Sequence, residues 1–193
     1  MWQLILYVTP VNVIIGLLVC LLLCMLGLRF EAKGDSFQLG ARVLLLFFVA
    51  ITLLATITPD QAIGSGDNTI WAIPGRGIFL DYSTMGSLER SMYVREQVAN
   101  AAMFIPIAIS CRFAHSRFSG MGVISASCAL SIAIEFTQWL MKAGRVVDID
   151  DVIVNTCGAA IGVLLYALAD RLVSSKLKHR SHRRSRLSSF DRG

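Results

Sequence analysis

Glu135 and Gln138 stand three residues apart inside an apolar run, and Asp148, Asp150, Asp151 and Asn155 open the next one. Ionisable side chains are expensive in hydrocarbon, so at membrane depth they pair and they mark ligand, ion or proton sites. Carboxylates accept hydrogen bonds, amides both donate and accept, and a guanidinium only donates. On a helix, Asp148, Asp151, Asn155, Gly158 and Gly162 would fall on one stripe, because successive gaps of three and four residues return to the same face. The upper part of that stripe offers polar groups. Its lower part, Gly158-x-x-x-Gly162, admits the close approach of another helix. Asp150 falls off the stripe, where it can cap the helix start or meet solvent. Glu135 and Gln138 share a face of the preceding helix. Arg145, in the short loop between the two runs, can reach Glu135 or the aspartates, and Asn100 opens a third apolar run. These spacings predict a polar pocket in the outer third of a membrane, formed by Asn100, Glu135, Gln138, Arg145, Asp148, Asp151 and Asn155. The bland alternative is hydrogen bonding between helices, Gln138 to Asn155 and Glu135 to Arg145.

The chain that must position these groups is 193 residues long, 55% hydrophobic and 16% charged, with a mean hydropathy of +0.63. A soluble domain carries about 25% charged residues. The deficit and the long apolar runs predict an all-α, polytopic membrane helical bundle. A spanning helix needs roughly 20 apolar residues, and five runs qualify: 4–28, 40–58, 98–111, 120–141 and 152–172. The third is short, holds Pro106, and is open to extension back through 85–97 or to a re-entrant path. The first reads as a retained helix, since no Lys or Arg precedes it and its apolar stretch exceeds a signal peptide's. Cys20, Cys24, Cys111, Cys128 and Cys157 all lie in or beside apolar segments and show no C-x-x-C spacing. They read as packing residues. Thr52, Thr56 and Thr58 read as bonding to their own backbone.

Lys and Arg collect on the cytoplasmic side of membrane proteins. With five spans, thirteen basic residues fall on the side of the first loop, the 112–119 loop and the C-terminus, against five on the other. The N-terminus, the 59–97 loop and the 142–151 loop are therefore expected outside, and the C-terminus in the cytoplasm, for a multi-pass protein of the inner, or plasma, membrane. The organisation expected is an additional N-terminal helix and first loop (1–39), a membrane domain (40–172) and a disordered, basic cytoplasmic tail (173–193). The tail's charge suits anionic lipid or simple retention inside; a nucleic-acid partner is not expected.

The runs Asn100-x-x-x-Phe104-x-Pro106, Ile134-Glu135-x-x-Gln138, and Arg145-x-x-Asp148-x-x-Asp151-x-x-x-Asn155-x-x-Gly158 together resemble the VanZ-like family, over about residues 42–172. The pattern departs from the family's at Ala108, where a glycine is common soon after the proline. The resemblance implies a small bacterial cell-envelope protein whose founding relative is linked to low-level resistance to the glycopeptide antibiotic teicoplanin. Other members sit near exopolysaccharide genes, and no reaction comes with the resemblance.

Three functions fit these residues. The first is recognition of a lipid-linked glycan, another envelope component or a glycopeptide at the outer leaflet, with no cofactor. The second is a membrane-embedded enzyme acting on a phosphate-linked lipid, with Glu135, Asp148 and Asp151 as oxygen ligands to Mg²⁺ or Ca²⁺. The third is a small transporter or complex subunit, with an envelope-protein partner or a second copy of the chain. Membrane lipids are partners in every case.

Overall fold

The computed structural model describes residues 9–31, 35–59, 61–66, 69–75, 86–115, 117–144 and 146–190. Its elements in chain order are α1 (Pro10–Glu31), α2 (Asp35–Ile57), β1 (Thr69–Trp71), α3 (Ser87–Ala114), α4 (Gly120–Met141), β2 (Val146–Asp148) and α5 (Ile149–Phe190). Among the described residues, five helices are long and apolar enough to cross a membrane, so the chain is an all-α, multi-pass membrane bundle. The third span is full: α3 runs unbroken from Ser87 through Pro106 to Ala114, so residues 87–97 extend the helix and the re-entrant path is not taken. The last apolar span ends at Ser175. The side chains of 176–190, and all of 191–193, lie outside the described residues, while the backbone of α5 runs on to Phe190 through most of the expected tail.

Local chemistry sets each helix start. Thr9 Oγ1 accepts from Asn12 N at 3.2 Å, and Pro10 follows at the first helical position, where its missing N–H costs nothing. Glu89 Oε2 accepts from Gly86 N at 2.9 Å at the start of α3. Ser119 Oγ accepts from Gly122 N at 3.0 Å at the start of α4. Each satisfies an N–H that an isolated helix end leaves unbonded. Thr56 Oγ1 donates to Thr52 O at 2.8 Å, and Thr58 Oγ1 to Leu54 O, the backbone bonding expected of the threonines. The five cysteines are free thiols.

α5 is the central helix, packed against α1, α3 and α4, and α3 also packs on α2. The α3–α5 contact is the closest. A Cβ on Gly158 would fall on the backbone of Ala101, and one on Gly162 would lie 2.6 Å from Ile105 O and 2.9 Å from Ala108 Cβ. The Gly158-x-x-x-Gly162 pair thus serves α3. Ala108, fully buried, is the residue that faces Gly162, and it fits only because Gly162 has no side chain. Large apolar residues of α1 and α2, such as Leu18, Leu23, Leu46 and Leu54, remain exposed, as lipid-facing positions should.

At the end of the bundle where α4 stops and α5 starts, an element absent from the sequence reading appears. β1, from the loop between α2 and α3, pairs in parallel with β2, matching Thr69 with Val146, Ile70 with Val147 and Trp71 with Asp148. Gly64 N donates to Met141 O at 2.9 Å and Gly66 N to Lys142 O at 3.0 Å. These bonds occupy carbonyls that the end of α4 would leave open. Lys142 (φ 46°) and Gly144 (φ 71°) turn the chain back through left-handed conformations, which makes α4 and α5 neighbours. The described parts of the α2–α3 loop, 61–66 and 69–75, therefore form a lid over this loop end.

Candidate functional site

Beneath the lid, polar side chains from α3, α4, α5 and β2 form two tiers. In the upper tier, Glu135 Oε2 accepts from Asp148 N at 3.2 Å. Asp148 Oδ1 in turn accepts from Asp150 N at 2.9 Å. Asp150 Oδ1 accepts from Gly75 N of the lid at 2.6 Å, and its Oδ2 from Tyr93 OH at 3.4 Å. Asp151 Oδ1 receives Asn100 Nδ2 at 2.9 Å and Gln97 Nε2 at 3.3 Å, both from α3. One turn deeper, Asn155 Nδ2 donates to Ser131 Oγ at 2.9 Å. Residues 131 and 135 on α4, like 151 and 155 on α5, are one turn or about 6 Å apart along their helices, so the tiers stack.

Burial separates this cluster from a solvated loop. Glu135, Asp148, Asp150 and Asn155 are 6%, 7%, 5% and 4% exposed, and Ser131 is fully buried. Two amide oxygens in it, Gln97 Oε1 and Asn155 Oδ1, have no hydrogen-bond partner among the described residues. A buried acceptor left unpaired costs about 1–3 kcal/mol.

The sequence-based site is therefore partly assembled and partly rearranged. Asn100, Glu135, Asp148, Asp151 and Asn155 meet as expected. Asp148 is not on the helical stripe: it ends β2, and α5 begins one residue later. Its carboxylate bonds the N–H two residues on, which makes it the N-cap of α5, and the acidic first turn also suits the positive end of the helix dipole. Gln138 is buried but looks elsewhere, its Nε2 donating to Thr56 O of α2 at 2.9 Å. The Gln138–Asn155 bond is replaced by Gln138–Thr56 and Asn155–Ser131, because the two side chains face different neighbours. Arg145, and with it the Glu135–Arg145 pair, lies outside the described residues.

Four contributors escaped the sequence reading: Asp150, Ser131, Gln97 and Tyr93. Asp150 was set aside for falling off the α5 stripe, yet the lid and Tyr93 close on it. Gln97 and Tyr93 precede the apolar run that the hydropathy picks out. Ser131 in an apolar span reads as a small packing residue. A spacing of four from Ser131 to Glu135 on one helix face was the available signal.

Chemically, the cluster is rich in acceptors. Its carboxylates and free amide oxygens suit hydroxyl or N–H donors. Among the described residues, no three His, Cys, Asp or Glu side chains are arranged to hold a metal ion.

A protein-family model described as VanZ/LLP1 matches residues 13–170. It starts inside α1, ahead of the stretch that carries the motifs. Over 82 residues the chain is 29% identical to Protein VanZ of Enterococcus faecium, which covers 42% of this chain and 50% of that protein. The chain thus spans about half the length of the relative it matches. No solved structure matches it.

Proposed function

The chain belongs to the VanZ-like family, and from that premise we propose that its buried polar cluster recognises a lipid-linked glycan, a related envelope component or a glycopeptide at the outer leaflet. The single observation that supports this most is the unpartnered Asn155 Oδ1, 96% of its residue buried, beside a stack of carboxylates beneath a lid. Interhelical bonding alone gives no reason to keep an acceptor empty, since that arrangement costs stability. Glycan hydroxyls and peptide N–H groups are donors, which is what such a site lacks. The lid bond that ends on Asp150, from Gly75 N, gives the ligand a route to move the 69–75 segment. A contribution to glycopeptide resistance, or to exopolysaccharide assembly, follows from occupancy of this site.

The test is teicoplanin susceptibility of cells carrying the wild type or Glu135→Gln in place of the native gene. The amide keeps shape and removes charge. The expected result is lost protection with near-normal protein in the membrane. Equal loss of protection and of protein would reduce the cluster to structural bonding and overturn the proposal.

A further inference from the structure

Between the first turn of α1 and the first three turns of α3 lies a cavity of about 700 Å³, within the range of small-molecule sites. Its two kinds of wall differ. Val13 and Ile14 of α1 face Val94 and Val98 of α3 across an apolar slot, and Arg90 and Arg95, with the hydroxyls of Ser87 and Ser91, line the same space. Residues 87, 91 and 95 and residues 90, 94 and 98 are each four apart, so they form two adjoining rows on one face of α3. Gln97 and Asn100, which bond Asp151, do not line it. The cavity is thus distinct from the polar cluster and independent of the function proposed for it.

The membrane spans place its mouth. The candidate span of α1 starts at Pro10 and the apolar run of α3 at residue 98, so Val13, Ile14 and Val98 lie at the edge of the apolar layer with Arg90 and Arg95 just beyond it, and both helices present the positive ends of their dipoles there. Arg90 and Arg95 are half-buried. A guanidinium has five N–H donors, so contacts with the chain leave others for a phosphate, which it grips in two-point fashion. Glu89 is exposed and engaged with Gly86 N, and neither it nor Glu96 lines the cavity.

We propose that this cavity binds an anionic phospholipid of the surrounding bilayer. The phosphate sits at Arg90 and Arg95, with Ser87 and Ser91 as further donors, and an acyl chain occupies the valine–isoleucine slot. This pairs a cationic rim with an apolar floor in the order in which a lipid presents its head and tail.

The test is native mass spectrometry of the full chain in detergent, titrated with phosphatidylglycerol or phosphatidylcholine of matched chains. The wild type is expected to retain phosphatidylglycerol in preference. The Arg90→Gln/Arg95→Gln variant should bind it about twenty-fivefold more weakly, since each cation near the surface contributes about fivefold. Val94→Trp, which fills the slot and keeps the charge, should weaken both lipids, and Arg42→Gln, on α2, should change neither. Equal retention of the two lipids by the wild type, or an undiminished preference in the double variant, would overturn the proposal. Should the double variant fail to fold, the wild-type preference and the Val94→Trp result decide: phosphatidylglycerol binding that Val94→Trp leaves undiminished places the lipid elsewhere.

Discussion

Replacing Gly158 with alanine tests the α3–α5 contact on which the polar cluster rests. A Cβ there would sit 2.8 Å from the carbonyl carbon and 2.9 Å from the Cα of Ala101, with the carbonyl oxygen closer still. Ordinary carbon–carbon contact is about 3.5–4.0 Å. These are backbone atoms, so no side-chain rotation relieves the clash; α3 and α5 must separate by roughly 0.7 Å or more to restore that spacing. Two opposing magnitudes decide the outcome. Alanine is favoured over glycine in a helix by about 1 kcal/mol. Overpacking a tight contact costs about 1–3 kcal/mol. The separation also strains the Asn100–Asp151 bond, one residue from Ala101, and such interhelical bonds average about 0.6 kcal/mol in membranes. The net expectation is a loss of about 1–2 kcal/mol, a five- to thirtyfold fall in the folded-to-unfolded ratio. The assay is unfolding by SDS titration in mixed micelles, followed by circular dichroism. Gly16 is the internal control: a Cβ there meets nothing within 4 Å, so Gly16→Ala should be neutral or stabilising. If Gly158→Ala were as stable as Gly16→Ala, the close packing described for α3 and α5 would be wrong.

Other outcomes follow from the same geometry. A double-mutant cycle of Ser131→Ala with Asn155→Leu should give a coupling of about 0.5–1.5 kcal/mol in SDS unfolding, the range of membrane hydrogen bonds; no coupling would mean that the Asn155–Ser131 bond is absent. Asp150→Ala removes the acceptor of Gly75 N and Tyr93 OH. Hydrogen bonds to a charged group are worth about 1.5–3 kcal/mol, so amide exchange across residues 69–75 should rise about tenfold or more, while Asp150→Asn, which keeps an acceptor, should rise less. Unchanged exchange in Asp150→Ala would show that this carboxylate does not hold the lid. Gln138→Leu should cost only about 0.6 kcal/mol, the mean for one interhelical bond, and leave the lid's exchange untouched; a large loss would tie Gln138 to the cluster after all.

The bundle was legible because its signal is coarse. Five apolar runs of spanning length survive any error of a few residues at their ends. The polar groups were legible too, since Glu135 or Asn155 in an apolar run stands out by type alone. Partners were not. Gln138 and Asn155 can bond any neighbour within reach, and only tertiary placement sends one to Thr56 and the other to Ser131. The glycine pair declared a close helix contact without saying whose: Ala101 and Ile105 offer backbone there, and backbone leaves no mark in a sequence. The lid escaped because β1 and β2 are three residues each, too short to show an alternating pattern. Asp148 was misplaced by a single residue of helix boundary, the least readable feature of an element. That same boundary turns a stripe residue into a cap.

The central claim is that the buried carboxylates and amides beneath the lid hold a ligand rather than merely each other. Lipid mass spectrometry of the purified wild type beside Glu135→Gln tests it most directly. A glycan-bearing or otherwise donor-rich envelope species is expected to travel with the wild type and to be lost from the variant at equal folded yield. Identical co-purifying species in the two proteins would contradict it.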